Sequence, residues 1–245
     1  MVQALIALLI VIVVYALVVS IFFQREVKAV FERDPAATNY WEVIFTYPGL
    51  HAIMAYRIAH RLLRMRVPFF PRWISQTARW ATGVEIHQGA KIGDGLFIDH
   101  GMGVVVGETT IIGNNVTLFQ GVTLGGTGKE HGKRHPTLGN NIVVGTGAKV
   151  LGNIVIGDNV AIGANAVVLR DVPPNSTVVG VPGRIAKQAG RRVPGANLDY
   201  TSLPDPLTER LERLQREIDL IESHLKEWHE EQRQATGQSE RPHRT

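Results

Sequence analysis

The chain has 245 residues, of which 44% are apolar and 20% are charged, a composition typical of a folded protein. Its net charge of +4 is mildly basic, but lysine and arginine are not interleaved with aromatic residues along one segment, which argues against nucleic-acid binding. There is no cysteine, which excludes disulfides and thiolate metal sites.

The first segment of the chain is apolar enough to cross a membrane, and we assign residues 1–24 to a transmembrane helix. About twenty apolar residues at a rise of ~1.5 Å each match a bilayer core of about 30 Å. Arg25, Lys28 and Arg33 follow it. The positive-inside rule therefore predicts a cytoplasmic domain anchored to the inner membrane through residues 4–23. A helix buried at the centre of an oligomer is the alternative.

The next segment, residues 25–81, is predicted to form helices. Apolar and basic residues mix from Leu50 to Arg66, and Pro68 and Pro71 mark the end of this pattern. We interpret the basic residues as a solvated helix face, part of which would lie against anionic lipid if the first segment is an anchor.

A six-residue period starts at the end of this helical region. Aliphatic residues recur at Ile86, Ile92, Ile98, Val106, Ile112, Leu118, Leu124, Leu138, Val144, Val150, Ile156, Ile162 and Val168. A second apolar position holds Val116, Val122, Ile142, Ala148, Ile154, Val160 and Ala166. This period indicates a parallel β-helix with three faces and about eighteen residues in each coil. We predict a mainly β fold with this solenoid at 82–190.

The period fails at two places in the solenoid. Between Ile98 and Val106 the step is eight residues, and between Leu124 and Leu138 it is fourteen. An extruded loop adds nothing to the solenoid core, so such insertions are either decoration or ligand sites. The polar residues to which we assign chemistry lie near these two breaks.

After the solenoid we predict a linker at 191–206, a coiled-coil helix at 207–232 and a disordered tail at 233–245. Leucine, isoleucine and tryptophan follow a four-three spacing through Leu207, Leu211, Leu214, Ile218, Ile221, Leu225 and Trp228. An amphipathic helix packed on its own domain is the alternative.

Several short motifs resemble those of bacterial serine acetyltransferases. They are RDPA at 33–36, YPGLHAIMAYRIAH at 47–60, GVEIH at 83–87, IDHGMGVVVGET at 98–109, GVTLGGTG at 121–128, RHP at 134–136 and GVPGR at 180–184. The resemblance covers residues 26–190 and implies a left-handed parallel β-helix that forms a homotrimer, with pairing into hexamers left open. It also implies transfer of acetyl from acetyl-CoA to the hydroxyl of L-serine, for cysteine biosynthesis, without a metal.

The reaction needs a base because a serine hydroxyl is a poor nucleophile. His100 matches the family's catalytic histidine, and Glu85 matches the carboxylate that orients it. An eighteen-residue coil would stack Glu85 on Gly103, three residues past His100, and we expect contact across that corner. The better-known enterobacterial pattern has aspartate at 85 and proline where this chain has Gln88.

Serine carries an ammonium and a carboxylate, so its site must supply both opposite charges. By the family match, Asp34 and Asp99 receive the ammonium and Arg134 receives the carboxylate. His135 would lie beside the substrate, and Glu108 would complete the polar wall. Asp34 has an alternative role as a helix-start residue, because it precedes a proline.

Acetyl-CoA is expected along the solenoid, between neighbouring subunits. The candidate contacts are Gly125, Gly126, Gly145, Thr146 and Lys149. Glycine lets a ligand approach the backbone closely, but the turns of the six-residue repeat also favour glycine.

Three other functions remain open from the sequence. The same fold and donor would serve a sugar or another hydroxyl acceptor. A metal-dependent carbonic anhydrase would need three converging imidazoles, for which His87, His100, His131 and His135 are available. A membrane-anchored, non-catalytic scaffold is the third.

Overall fold

The computed structural model describes residues 1–128, 131–188 and 206–237, which form two compact units divided after residue 203. Within the described residues, the first unit holds five helices and all the strands, and the second holds one helix. Only the final residue of the predicted linker, Pro206, lies within the described residues. The predicted tail beyond residue 237 lies outside them.

Five helices come before the solenoid, as the sequence predicted. They are α1 (Val2–Phe22), α2 (Gln24–Arg33), α3 (Tyr40–Thr46), α4 (Pro48–Arg64) and α5 (Phe70–Thr82). Proline stands at the start of α4, where its missing N–H costs no hydrogen bond. Gly83 ends α5 in the left-handed conformation and turns the chain into the first coil.

One face of the last third of α1 is packed against protein, and most of the rest of the helix is exposed. Ala16, Val19 and Phe23 join Val43 and Ile44 of α3 in a small apolar cluster. Among the described residues, α1 is the one helix long and apolar enough to span a bilayer, with a mean hydropathy of 3.2.

Short strands make up the solenoid. They are β1 (Glu85–Ile86), β2 (Lys91–Ile92), β3 (Phe97–Ile98), β4 (Val105–Val106), β5 (Ile111–Ile112), β6 (Thr117–Leu118), β7 (Thr123–Gly125), β8 (Thr137–Leu138), β9 (Val143–Val144), β10 (Lys149–Leu151), β11 (Val155–Ile156), β12 (Ala161–Ile162), β13 (Val167–Val168), β14 (Ser176–Val179) and β15 (Arg184–Gln188).

These strands form the three flat faces of a parallel β-helix. Sheet A is β1-β4-β7-β10-β13, sheet B is β2-β5-β8-β11, and sheet C is β3-β6-β9-β12-β14-β15. The chain visits the sheets in the order A, B, C, and every pairing is parallel except that of β14 with the antiparallel β15. The predicted solenoid is therefore confirmed.

The repeated aliphatic positions form one continuous core. All thirteen are buried, and the most exposed of them is Ile92 at 8%. The second set is buried as well, up to 9% at Ile154. Each coil stacks its aliphatic side chains on those of the next, so burial follows the period that the sequence displays.

The length of the first coil differs from the expected eighteen residues. Glu85 pairs with Val105, twenty residues on, because two extra residues lie between β3 and β4. The predicted stacking of Glu85 on Gly103 is therefore wrong. Gly103 instead donates a backbone hydrogen bond of 2.9 Å to Gly83.

The corner between sheets B and C is built by a ladder of asparagines. Asn115, Asn141 and Asn159 all have left-handed backbone conformations, with φ of 56°, 55° and 58°. Each side-chain amide donates to the next asparagine along the stack, and Asn159 reaches Asn175 at 3.0 Å. Asparagine tolerates this conformation better than most residues, which explains its repetition at one corner.

The second unit is helix α6 (Pro206–Gly237), which confirms the C-terminal helix. The helix continues past residue 232, so the prediction of disorder is wrong for 233–237, where glutamine, arginine and alanine favour helix. Leu214, Ile218 and Leu225 of the predicted seam are about half exposed. The coiled coil stays a prediction.

Candidate active site

The first break in the period displays His100 at the corner between sheets C and A. His100 has a φ of 56°, and Gly101 and Gly103 follow with 77° and 76°. Among the solenoid residues that the structure describes, every other non-glycine residue with positive φ is an asparagine. The two extra residues push His100 outward, and its side chain is 72% exposed. A strained, exposed imidazole with no packing role is typical of a functional position.

One acidic residue lies beside this histidine, and a second lies near that acid. The Nε2 atom of His100 is 3.9 Å from an oxygen of Asp99, whose side chain is only 15% exposed. Burial raises the pKa of Asp99, the charge of His100 opposes that shift, and the nearby charge of Asp34 adds to it. The structure thus brings together three predicted site residues from distant parts of the sequence.

Asp34 reaches this corner because Arg33 ties the end of α2 to the solenoid. The buried guanidinium of Arg33 donates to the Gly95 carbonyl at 3.1 Å and to the Thr117 hydroxyl at 3.2 Å. The helix-start role for Asp34 is wrong, since Asp34 follows the last residue of α2. Its carboxylate accepts the Ala36 N–H at 2.8 Å, which stabilises the turn after the helix.

Tyr47 joins the same cluster, although we assigned it no role from the sequence. Its hydroxyl donates to Asp34 at 2.7 Å. Burial, followed by this hydrogen bond, raises the pKa of Tyr47, so the phenol stays a donor. A Cβ on Gly49 would lie 2.1 Å from the Ile98 carbonyl oxygen, which shows how closely α4 begins against β3. The tyrosine, proline and glycine that open α4 were the only sequence sign of this contact.

A second polar cluster lies at the corner between sheets A and B, around the fourteen-residue step. Arg134 donates to Glu108 at 2.6 Å, and this hydrogen bond is the main cause that lowers the pKa of Glu108. His135 is buried, and the Thr109 N–H and hydroxyl contact its Nδ1 atom at 3.2 and 2.9 Å. Burial, then the charge of Arg134, lowers the pKa of His135, which favours a neutral imidazole.

His87 belongs to this second cluster as well, and the family motifs did not assign it a role. The Gly89 N–H donates to Nδ1 of His87 at 3.0 Å, so the ring proton lies on Nε2. Burial, then the charge of Arg72, lowers the pKa of His87, while Glu108 opposes this shift. Both histidines at this corner therefore have lowered pKa values, which favour the neutral imidazole.

Glu85 lies on sheet A between the two clusters, under helix α5. Its carboxylate is 3.1 Å from Arg79 and 3.8 Å from Arg72. Across the described part of the chain, no hydrogen bond or ion pair joins Glu85 to His100. The expected contact across the corner is thus not formed within one chain, because two arginines of α5 hold the carboxylate.

The candidate acetyl-CoA contacts are distributed across sheet A and its two corners. Gly125 ends β7, and Gly126 follows it beside the second cluster. Gly145 and Thr146 follow β9 at the corner of His100, and Lys149 begins β10 on the face between them.

Two of these candidates have structural contacts of their own. A Cβ on Gly145 would lie 2.7 Å from the Ala164 nitrogen, so stacking of the coils alone requires a glycine there. The Lys149 ammonium donates to the Gly121 carbonyl, which holds the cation over sheet A. Within the ranges that the structure describes, no group of three or more His, Asp or Glu side chains is arranged to hold a metal ion.

Comparison with known proteins identifies the family. Residues 135–170 match the family model of the bacterial transferase hexapeptide, described as six repeats. The chain is 56% identical to the serine acetyltransferase of Bacillus licheniformis over 203 residues, which is 83% of this chain and 94% of the relative. The chain belongs to the serine acetyltransferase family.

Solved structures agree with this family assignment. The Brucella abortus serine acetyltransferase in complex with coenzyme A is 41% identical with a TM-score of 0.68, covering 71% of this chain and 69% of that one. The Neisseria gonorrhoeae serine acetyltransferase in complex with serine is 45% identical with a TM-score of 0.64, covering 66% of each chain. The left-handed β-helix and the acyltransferase class predicted for this serine acetyltransferase family member are confirmed.

Proposed function

We propose that this chain transfers the acetyl group of acetyl-CoA to the hydroxyl of L-serine, which gives O-acetylserine and CoA for cysteine biosynthesis. The assignment to named residues rests on the cluster of Asp34, Asp99 and His100. In this cluster an exposed imidazole lies 3.9 Å from the carboxylate of Asp99, which itself lies near the charge of Asp34. A base next to a double negative charge suits an acceptor that carries a hydroxyl and an ammonium.

His100 acts as the general base. Its neutral imidazole takes the proton of the serine hydroxyl while the oxygen forms a bond to the thioester carbon. The tetrahedral intermediate then collapses, the carbon–sulfur bond breaks, and the departing sulfur takes the proton back from the imidazolium. The outward corner leaves the imidazole open to both substrates, because 72% of the side chain is exposed.

Charged groups of both signs recognise the amino acid. Asp34 and Asp99 receive its ammonium, and Arg134 receives its carboxylate with His135 and Glu108 beside it. Tyr47 holds Asp34 in place through its 2.7 Å hydrogen bond. A sugar has no ammonium to compensate the paired carboxylates, which favours an amino acid over that alternative acceptor.

The site is shared between copies of the chain. His100 lies at the corner of sheets C and A, while Arg134 lies at the corner of sheets A and B. We propose a homotrimer in which the first corner of one subunit faces the second corner of its neighbour, with acetyl-CoA in the groove between them. Lys149 would meet the phosphates of CoA there. For Glu85 to orient His100, its carboxylate has to leave Arg79.

We also propose that α1 anchors the protein in the cytoplasmic membrane, with the acetyltransferase domain in the cytoplasm. Its most apolar stretch is only 11% buried, and Leu9 and Val13 are among its exposed residues. The double variant Leu9→Lys, Val13→Lys should leave the membrane fraction when lysates are floated on a density gradient. Leu9→Phe is the matched control and should float as the wild type does.

The experiment that tests the activity is a thiol-release assay with acetyl-CoA on the full chain. L-serine is compared with no acceptor and with a small set of sugars. Serine-dependent release of CoA is the expected result. Release with a sugar but not with serine would overturn Asp34, Asp99 and Arg134 as amino-acid ligands, and no release with any acceptor would favour the scaffold.

A further inference from the structure

The packing of α1 limits how far the rest of the protein can stand from the membrane. The helix is about 31 Å long, close to the thickness of a bilayer core. The Tyr15 hydroxyl donates to the Ile44 carbonyl at 2.9 Å, so α3 lies alongside the final turns of α1. The part of α1 before Tyr15 is only about 20 Å long.

Helix α3 has the side chains of a membrane-interface helix. Trp41 and Phe45 are 53% and 42% exposed, and their rings stack at 6.3 Å. Tryptophan and other amphipathic aromatic residues concentrate at the level of the lipid headgroups. If α1 spans the bilayer, α3 and the end of α1 lie at that level.

At this same level a cleft opens between the end of α1, the start of α2 and the second half of α4. It has a volume of about 840 Å³. One part of its wall is apolar, with Phe22, Ile58 and Met65, each more than half exposed. The other part is strongly basic.

Two of the arginines in the cleft have their charge compensated. Arg57 pairs with Glu26 at 3.1 Å and donates to the Ile92 carbonyl at 2.6 Å. Arg25 pairs with Asp94.

Two further arginines do not have such partners. Within the described residues, the guanidinium groups of Arg61 and Arg64 have no ion pair and no hydrogen bond, and both side chains are exposed. The cleft therefore offers two uncompensated cations next to an apolar wall.

We propose that this cleft binds the headgroup of one anionic phospholipid. The phosphate lies against Arg61 and Arg64, and the glycerol backbone and first acyl carbons lie against Phe22 and Met65. The apolar wall and the position at the base of α1 select a lipid over a soluble phosphate. The inference rests on the proposed anchoring through α1.

The test is a calorimetric titration of the full chain, in an uncharged detergent, with short-chain phosphatidylglycerol. The double variant Arg61→Ala, Arg64→Ala should bind about 25-fold more weakly, since each cation near an anionic headgroup contributes about fivefold. The matched control is Lys91→Ala, Arg170→Ala, which removes two exposed cations of the solenoid and should bind as the wild type does.

Three outcomes would overturn the headgroup site. They are equal binding by the double variant, equal binding of short-chain phosphatidylcholine, and binding of glycerol phosphate as tight as that of the lipid, which would make a soluble phosphate the ligand. Flotation with vesicles of phosphatidylcholine alone tests the anchor separately from the headgroup site. If the wild type does not float with neutral vesicles, the anchor itself is wrong; if it floats but does not prefer phosphatidylglycerol, only the headgroup site is wrong.

Discussion

Two corners of the solenoid use the same backbone conformation for different purposes. At the corner of sheets B and C, Asn115, Asn141 and Asn159 have φ near 56°, and their amides bond to one another. At the corner of sheets C and A, His100 has a φ of 56° but leaves its side chain exposed. A left-handed residue that returns its side chain to the stack stabilises the fold, and one that points it outward is available for chemistry.

The substitution His100→Ala should have the largest effect in this comparison. We expect kcat for acetyl transfer to fall by about 10²–10⁴-fold, the usual contribution of a general base. The melting temperature should fall only slightly, because the exposed imidazole makes no stabilising contact and the remaining cost is that of an alanine in the left-handed conformation. Thiol release and thermal unfolding measure the two quantities. Turnover near the wild-type rate would rule out this residue as the base.

A mixed-subunit experiment would test whether the His100 and Arg134 corners meet between chains. His100→Ala and Arg134→Ala are each expected to be nearly inactive. When the two are unfolded together, refolded in equal amounts and assayed, about a quarter of the sites should combine an intact His100 with an intact Arg134 from the neighbour. Activity of the mixture that stays at the level of the two single variants would mean that each site lies within one chain.

The pH dependence of serine binding should report the charge of Asp99. Burial raises the pKa of Asp99 above its usual 3.8, so its negative charge is lost earlier as the pH falls. We therefore expect KM for serine to rise as the pH falls, starting at a higher pH than for an aspartate with an ordinary pKa. In Asp99→Asn, KM should be high at pH 7 and change little with pH. A KM of that variant equal to the wild type's would remove Asp99 from the ammonium site.

The asparagine corner should show the smallest effect, and only on stability. Asn159→Ala loses two side-chain hydrogen bonds and places alanine in a left-handed conformation, which should lower the free energy of unfolding by about 2 kcal/mol. Asn159→Gly is the matched control, and it should recover part of the loss because glycine adopts this conformation freely. Chemical denaturation measures both. Loss of activity in either folded variant would contradict the purely structural role.

The fold was predictable because each stretch of six residues in the solenoid places one aliphatic side chain in the core. The stacking of coils in space therefore appears in the sequence as a six-residue period. The two breaks in that period marked both polar clusters. The register of the first coil was wrong because we applied eighteen residues to a coil that contains the eight-residue step.

Long-range contacts were not visible in the sequence. Arg33 was counted with the basic flank of α1, yet it is buried against the solenoid and positions Asp34. Tyr47 acts through a hydrogen bond to a residue thirteen positions away, and no local pattern reports such a contact. The carboxylate of Glu85 was matched to a motif position, but the motif does not contain the arginines of α5 that hold it.

The reversal of direction at β15 has a consequence for solubility. A stack of parallel strands ends in a row of unpaired N–H and C=O groups, onto which another solenoid could add its own strands without limit. In sheet C, β15 (Arg184–Gln188) covers that row by running antiparallel to β14, and it carries the exposed charges of Arg184 and Lys187. End-to-end growth of sheet C into fibres is thereby blocked by the last strand of the same chain.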